Sequence, residues 1–126
     1  MFNHVMVGAL DIDESKCFYD AALGALGVAA GVKDSAERCS FRTPTGVFMI
    51  KLPIDGAPAT FGNGSTVGFA ANDTAQVDAW HAAGIANGGT TCEDPPGVRE
   101  RGNFRVYLAY MRDPAGNKLC AAFRMP

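Results

Sequence analysis

The side chains best suited to chemistry in this sequence are His4 and Cys120. His4 could act as a general base, as a metal ligand or as a polar group lining a cleft, and it could also be a satisfied core histidine. Cys120 could act as a nucleophile if a base such as His4 lay beside it, or it could be a small apolar filler on a buried strand. The chain has only two histidines, His4 and His81, so a His-rich metal site is excluded.

Two arginines form a second group of candidates. Arg99 and Arg101 lie in the Pro- and Gly-rich stretch Cys92–Asn103, which we interpret as a long loop. Their guanidinium groups could bind a carboxylate or a phosphate as part of a lid. The alternative is that they are solvated loop charges.

A tyrosine is the next candidate, and its orientation depends on a turn. Tyr110 lies on the predicted strand before the turn Asp113–Gly116. If that turn carries a one-residue bulge at Gly116, Tyr110 faces the same side as Cys120. A different register would put Tyr107 on that side instead.

Composition excludes several classes of protein. The 126 residues are 48% hydrophobic and 19% charged, which predicts a single folded domain. The net charge is −2 without a basic stripe, so we expect no nucleic-acid partner. No apolar run approaches the roughly 20 residues of a membrane span, and the N-terminus lacks a basic region. We therefore expect a cytoplasmic protein. Its four cysteines form no close pair, which predicts free thiols rather than disulfides or a structural zinc site.

The sequence contains an internal repeat that must position these candidates. Residues 4–27 align without a gap with residues 66–89, and in each copy an aspartate is followed three residues later by Glu or Gln. That spacing predicts a helix N-terminus with a capping box. The aligned aromatic residues Phe18 and Trp80 are assigned to the core. Residues 42–46 align with residues 112–116 as Pro/Gly turns of two β-hairpins, and this alignment matches Ile50 with Cys120.

The repeat predicts an α+β fold of two pseudo-symmetric βαβββ modules whose curved sheets enclose a cleft. We expect module 1 at about 1–55, a linker at about 56–65 and module 2 at about 66–126. Equivalent strand positions are then occupied by His4, Ile50, Thr66 and Cys120. If His4 faces the cleft, alternation along the strand puts Met6 there too, while Val5 and Val7 pack on the helix.

Three segments resemble one known family over essentially the whole chain. His4-Val5 and the helix Ser15-Lys16-Cys17-Phe18-Tyr19 are similar to the family's opening strand and S-x-x-F-Y helix. Asn63–Ala71 is similar to its middle strand, and Asp113–Cys120 is similar to its D-P-x-G-N-x-x-E hairpin. The chain thus resembles the vicinal oxygen chelate superfamily, which includes glyoxalases, bleomycin resistance proteins and extradiol dioxygenases.

The resemblance implies where a metal site would lie, but this chain lacks two of the family's three ligands. Metal-dependent members hold a divalent ion with His, His and Glu from the opening, middle and final strands. The matching residues here are His4, Thr66 and Cys120, and Ile50 at the fourth equivalent position cannot ligate. A hydroxyl and a thiol do not replace His and Glu in such a site. We therefore expect no metal and no other cofactor.

Three functions follow from these observations. The first is a metal-free domain that binds a small molecule in the cleft, in a homodimer that the resemblance implies. The second is a lactoylglutathione lyase-like or dioxygenase-type enzyme with an altered ligand set. The third is a thiol enzyme using Cys120 with His4. Tyr110 is a further catalytic candidate, and the expected binding residues are His4, Met6, Ile50, Thr66, Arg99, Arg101, Tyr110 and Cys120.

Overall fold

Two mixed β-sheets and two helices make up the chain, and the computed structural model describes residues 1–126. The first unit consists of β1 (His4–Gly8), α1 (Ile12–Gly24), β2 (Val32–Ser35), β3 (Arg38–Thr43) and β4 (Gly46–Lys51). The second consists of β5 (Val67–Ala70), α2 (Thr74–Ala86), β6 (Thr90–Thr91), β7 (Gly97–Arg101), β8 (Phe104–Arg112) and β9 (Lys118–Arg124). The predicted α+β fold is confirmed. The second unit has one strand more than the first because two short strands, β6 and β7, both pair with β8 and together correspond to β2.

The two sheets have the same strand order. The first runs β1-β4-β3-β2 and the second β5-β9-β8-β6, with β7 also paired to β8. The pairs β1–β4 and β5–β9 are parallel, and all the others are antiparallel. The first strand of each unit therefore has a neighbour on one side only and leaves a free edge.

Both helices begin at the predicted aspartates. The Asp11 carboxylate accepts a hydrogen bond from the Glu14 N–H at 2.9 Å, and Asp73 accepts one from the Gln76 N–H at 2.8 Å. Each carboxylate satisfies a free N–H of a first helical turn and complements the positive end of the helix dipole. Neither helix has the length and apolar character needed to span a bilayer.

The helices and one face of each sheet bury a common core. Phe18 and Trp80 are both 0% exposed, as the repeat predicts. Phe18 meets Tyr19 edge to face with ring centroids 4.9 Å apart, and Phe48 of β4 meets Phe69 of β5 at 5.2 Å. No strand of one sheet lies beside a strand of the other. The contact between α1 and α2 and these side chains therefore hold the two units together.

A buried carboxylate ties the turn between β8 and β9 to the first unit. Asp113 is 3% exposed and accepts a hydrogen bond from the Tyr19 hydroxyl of α1 at 2.5 Å. It also accepts from the N–H groups of Ala115 and Asn117 and from the Asn117 side-chain amide, each at 2.9 Å. That amide donates to the Gly8 carbonyl of β1 as well, at 2.8 Å. Burial, reinforced by the Asp113 charge, raises the pKa of Tyr19 well above its usual value, so its hydroxyl remains a donor.

The stretch Cys92–Asn103 is not the long loop that its prolines and glycines predict. Its residues Gly97–Arg101 form β7, which pairs antiparallel with β8. Gly102, with a φ of 60°, makes the tight connection between the two strands. The arginines of this stretch therefore lie on a sheet and not on a lid.

The second half of the repeat is shifted by one residue from the predicted alignment. Val5 pairs with Phe48 in the first sheet, and its counterpart Val67 pairs with Leu119 in the second. Phe48 and Leu119 are therefore equivalent, and the equivalent of Cys120 is the next residue, Met49. The predicted match of Ile50 with Cys120 is wrong, because the turn between β8 and β9 is longer than the turn between β3 and β4.

Candidate functional site

The face of each sheet that turns away from the core, called here its outer face, carries most of the candidate residues. Along β1, Val5 and Val7 pack on the core, while His4 and Met6 are exposed on the outer face. The Nδ1 atom of His4 lies 2.8 Å from Oδ1 of Asn3, which orients the ring and leaves its other nitrogen without a protein partner.

Ile50 is absent from this outer face. Its side chain is 0% exposed and belongs to the common core, as does Phe48 two residues earlier. The outer-face position of β4 is taken by Met49, which pairs with Met6 of β1. The prediction that Ile50 binds a ligand therefore requires correction, because a one-residue shift exchanges the two faces of a strand.

The outer face of the second sheet brings Tyr110 and Cys120 together. The two residues lie directly opposite one another on β8 and β9. Cys120 forms a small apolar cluster with Val106 and Leu108, separate from the common core. Tyr110 is partly buried and packs against this cluster.

Tyr107 points to the other side of the same strand. It packs against the common core, and its hydroxyl donates to Oδ1 of Asp78 at 2.8 Å. The extra residue in the following turn is accommodated at Gly116, whose φ of 93° favours glycine. Of the two registers left open by the sequence, the structure has the one that pairs Tyr110 with Cys120.

The strand β5 leaves this outer face uncovered on one side. Gly68 lies opposite Cys120, and a Cβ atom at Gly68 would meet no other atom within 4 Å. Thr66, at the position matching the family's second ligand, immediately precedes β5 and is exposed. The space above Gly68 is therefore open to ligand atoms, next to Cys120, which is itself 7% exposed.

Arg99 and Arg101 extend the outer face along β7. They lie opposite Val106 and Phe104 of β8. The Arg99 guanidinium donates to the carbonyls of Asp94 and Pro95 at 3.1 and 3.0 Å, and the Arg101 guanidinium donates to the Glu100 carbonyl at 3.0 Å. Both cations thus stand beside the apolar cluster of Cys120.

The surroundings of Cys120 keep its thiol protonated. Burial, and to a smaller extent the Glu93 charge, raises its pKa to about 11, although Arg101, Arg99 and Lys118 act in the opposite direction. At neutral pH such a group carries almost no thiolate. Neither β1 nor its residue His4 lies beside β9, so His4 does not activate the thiol within one chain.

Two residues of this face were not recognised as candidates in the sequence. Lys118 forms an ion pair with Glu93, and its Nζ atom lies 4.8 Å from the centre of the Tyr110 ring. Lys118 stands two residues before Cys120 on β9, so strand alternation could have placed it on the same face. Glu93 adopts a left-handed backbone with a φ of 57°, which its sequence context does not indicate.

The residues at the family's ligand positions do not fit a His/His/Glu divalent metal site. They offer one imidazole, one hydroxyl and one protonated thiol, without a carboxylate. Within the chain no group of three His, Cys, Asp or Glu side chains is arranged to hold a metal ion. His4 lies in the first unit, and Thr66 and Cys120 belong to the second.

A cavity of about 440 Å³ lies between the two units. Its lining is mostly apolar and comes from the start of β1, the turn before β4, the end of α1 and the whole of β5. His4 and Asn3 provide polar groups at its wall, whereas Tyr110, Cys120 and the two arginines of β7 lie outside it.

Comparison with known proteins agrees with this architecture. Residues 1–121 match the Glyoxalase/Bleomycin resistance protein/Dioxygenase superfamily. The crystal structure of a glyoxalase/bleomycin resistance protein from Albidiferax ferrireducens T118 is similar at 60% identity and a TM-score of 0.94, over 97% of this chain and 98% of that chain.

More distant structures share the fold. A glyoxalase-related enzyme from Fulvimarina pelagi is 18% identical, with a TM-score of 0.74 over 98% of this chain and 87% of that chain. A lactoylglutathione lyase from Agrobacterium tumefaciens is 22% identical, with a TM-score of 0.66 over 97% and 92%. A search of the curated proteins found no match. The family match over nearly the whole chain and the similarity at 60% identity establish that the protein belongs to the Glyoxalase/Bleomycin resistance protein/Dioxygenase superfamily.

Proposed function

We propose that the protein binds a small molecule on the outer faces of its sheets, without the His/His/Glu metal site of metal-dependent relatives. One observation carries this proposal: the outer face of the second sheet gathers Tyr110, Cys120, Arg99 and Arg101 around an apolar cluster. Apolar surface with a few oriented polar groups is the usual composition of a ligand site. The protonated Cys120 thiol favours binding over the thiol-enzyme alternative.

We further propose that two copies complete each site as a homodimer. His4 and Met6 lie on the first sheet, and Tyr110 and Cys120 lie on the second. The free edges of β1 and β5 have unused backbone hydrogen-bonding groups, which favour pairing with another chain. Sedimentation equilibrium should give the mass of two chains, and a single-chain mass at micromolar concentration would contradict this arrangement.

The neutral fluorophore N-phenyl-1-naphthylamine tests the binding site. We expect it to bind the wild-type protein and to lose affinity in Gly68→Leu, whose side chain would fill the open space above Cys120. Gly24→Leu is the matched control, because Gly24 is also exposed and also has no atom within 4 Å of its Cβ position, but lies at the end of α1. Binding that persists in Gly68→Leu would rule out the outer face as the site.

A lyase with an altered ligand set is the second candidate. The observation that favours it is Glu93, a carboxylate whose charge acts on Cys120 at the position of the family's final ligand. Elemental analysis of the wild-type protein, of His4→Ala and of Glu93→Gln separates the candidates. A near-stoichiometric metal that is lost in both variants would replace the metal-free proposal with this one.

We also propose that the protein is cytoplasmic. All four cysteines are free thiols, which is the usual state of cysteine in a reducing compartment. Recovery of the untagged protein in the periplasmic or secreted fraction of its source cells would contradict this location.

A further inference from the structure

We propose that the ligand of the second sheet's outer face is an organic anion, in which an apolar body carries an acidic oxygen group bound by Arg99 and Arg101. This inference rests on the proposed function, because it names the chemical class of molecule that the face would bind.

Three arginines beside the apolar cluster of this face have neutral partners only. Backbone carbonyls hold Arg99 and Arg101, and the guanidinium of Arg124 stacks over the Phe104 ring at 4.2 Å from its centre. None of the three takes part in an ion pair. A neutral partner fixes the position of a guanidinium group without cancelling its charge. The three positive charges therefore remain available to a ligand, in a chain whose net charge is −2.

The nearby carboxylates do not compensate these arginines. Glu93, whose charge acts on Cys120, is already paired with Lys118. Glu100 lies between the two arginines in sequence, so strand alternation turns it to the opposite face, where it pairs in register with Arg105. Arg99 is bonded to the backbone carbonyl of Asp94 and not to its carboxylate, and no carboxylate forms an ion pair with Arg99, Arg101 or Arg124. An anion placed over the face would thus meet cations that no carboxylate of the chain has neutralised.

The floor between the cations selects an apolar ligand body. Val106, Leu108 and Cys120 form its base and are themselves only 4–9% exposed. The partly exposed apolar surface that a ligand body would contact belongs to Phe104, Tyr110 and Ala122, which pack against this base. The empty space above Gly68 continues this floor toward β5. Planar guanidinium groups bind carboxylate, phosphate or sulfonate oxygens through paired hydrogen bonds. The combination suits a molecule with an aromatic or aliphatic body and one acidic end, and it suits neither a cation nor a neutral sugar.

Two fluorophores with the same apolar body test the inference directly. 1-Anilinonaphthalene-8-sulfonate carries an anionic group that N-phenyl-1-naphthylamine lacks. We expect the wild-type protein to bind the sulfonate more tightly than the amine. The double variant Arg99→Gln/Arg101→Gln should weaken sulfonate binding by at least about tenfold, or about 1.4 kcal/mol, and leave amine binding unchanged. Gly68→Leu should weaken the binding of both.

Arg105→Gln is the matched control, because Arg105 is an exposed arginine of the same hairpin on its opposite face. Sulfonate binding that is unaffected by the double variant, or equally weakened by Arg105→Gln, would overturn the inference. If both fluorophores bind equally well, the anion inference fails while the binding function stands. If neither binds, the proposed function itself fails.

Discussion

Removing one hydroxyl should destabilise the protein strongly, because that hydroxyl links its two halves. Tyr19→Phe deletes the donor that lies 2.5 Å from Oδ2 of Asp113, with Tyr19 at 0% and Asp113 at 3% exposure. A hydrogen bond to a charged group contributes about 1.5–3 kcal/mol. Asp113 keeps its donors from Ala115 and Asn117, so we expect a loss of about 2 kcal/mol. For a chain of 126 residues, this free energy lowers Tm by about 7 °C.

Tyr107→Phe is the matched control for this experiment. It removes a hydroxyl that also donates to an aspartate, Asp78, at 2.8 Å, but Asp78 is exposed to solvent. Water can replace this bond, so we expect a loss below about 0.5 kcal/mol. Thermal and urea unfolding followed by circular dichroism measure both variants. If Tyr19→Phe costs no more than Tyr107→Phe, the buried bond does not hold the units together and our reasoning is wrong.

Three further predictions concern titration and helix capping. Because the folded-state pKa of Tyr19 is raised, the unfolded chain releases this proton first as pH increases. The free energy of unfolding should therefore fall above about pH 10 by up to about 1.4 kcal/mol per pH unit, and urea titrations should show that Tyr19→Phe removes this contribution. At about pH 8 the Cys120 thiol, with a pKa of about 11 instead of 9.0, should carry about a hundredfold less thiolate than an unshifted cysteine. Peptide mapping after iodoacetamide treatment should show labelling of exposed Cys17 long before Cys120. Asp11→Ala and Asp73→Ala should each lower the free energy of unfolding by about 1 kcal/mol in urea titrations, because each removes an N-cap acceptor.

Each of these expectations has a result that contradicts it. An equal alkaline slope in the wild-type protein and Tyr19→Phe would mean that Tyr19 does not titrate differently in the two states. Labelling of Cys120 as fast as Cys17 would restore the thiol-enzyme hypothesis. If Asp11→Asn, which keeps a side-chain acceptor, were as destabilising as Asp11→Ala, capping would not explain the loss.

The internal repeat predicted most of the fold because strand alternation and helix capping depend on residues that are close in sequence. Apolar alternation placed Val5 and Val7 on the core and left Met6 on the other face, since side chains alternate strictly along a strand. The aspartates that begin both helices were recognisable because a cap is made within a few residues.

The candidate site was less predictable because it depends on turn lengths and on contacts between distant segments. One additional residue in the turn before β9 moved the equivalent of Cys120 from Ile50 to Met49, and thus from the core to the outer face. Glu93 has a left-handed backbone and pairs with Lys118, which lies 25 positions away, and no sequence pattern indicates either feature. The strand β7 was not predicted, because the prolines and glycines around it give this stretch the composition of a loop.

The hydrogen bonds of the Asp113 turn also determine whether the two units can fold independently. A duplicated module can fold alone only if its buried polar groups have hydrogen-bond partners within the same module. Here Tyr19 and Asp113 are 94 positions apart, one in each unit, and the common core draws on both units. In an isolated first unit the Tyr19 hydroxyl has lost its acceptor, and the Gly8 carbonyl has lost the Asn117 amide. Two fragments made by cutting between β4 and β5 should therefore be unstable separately and should recover their structure by complementation.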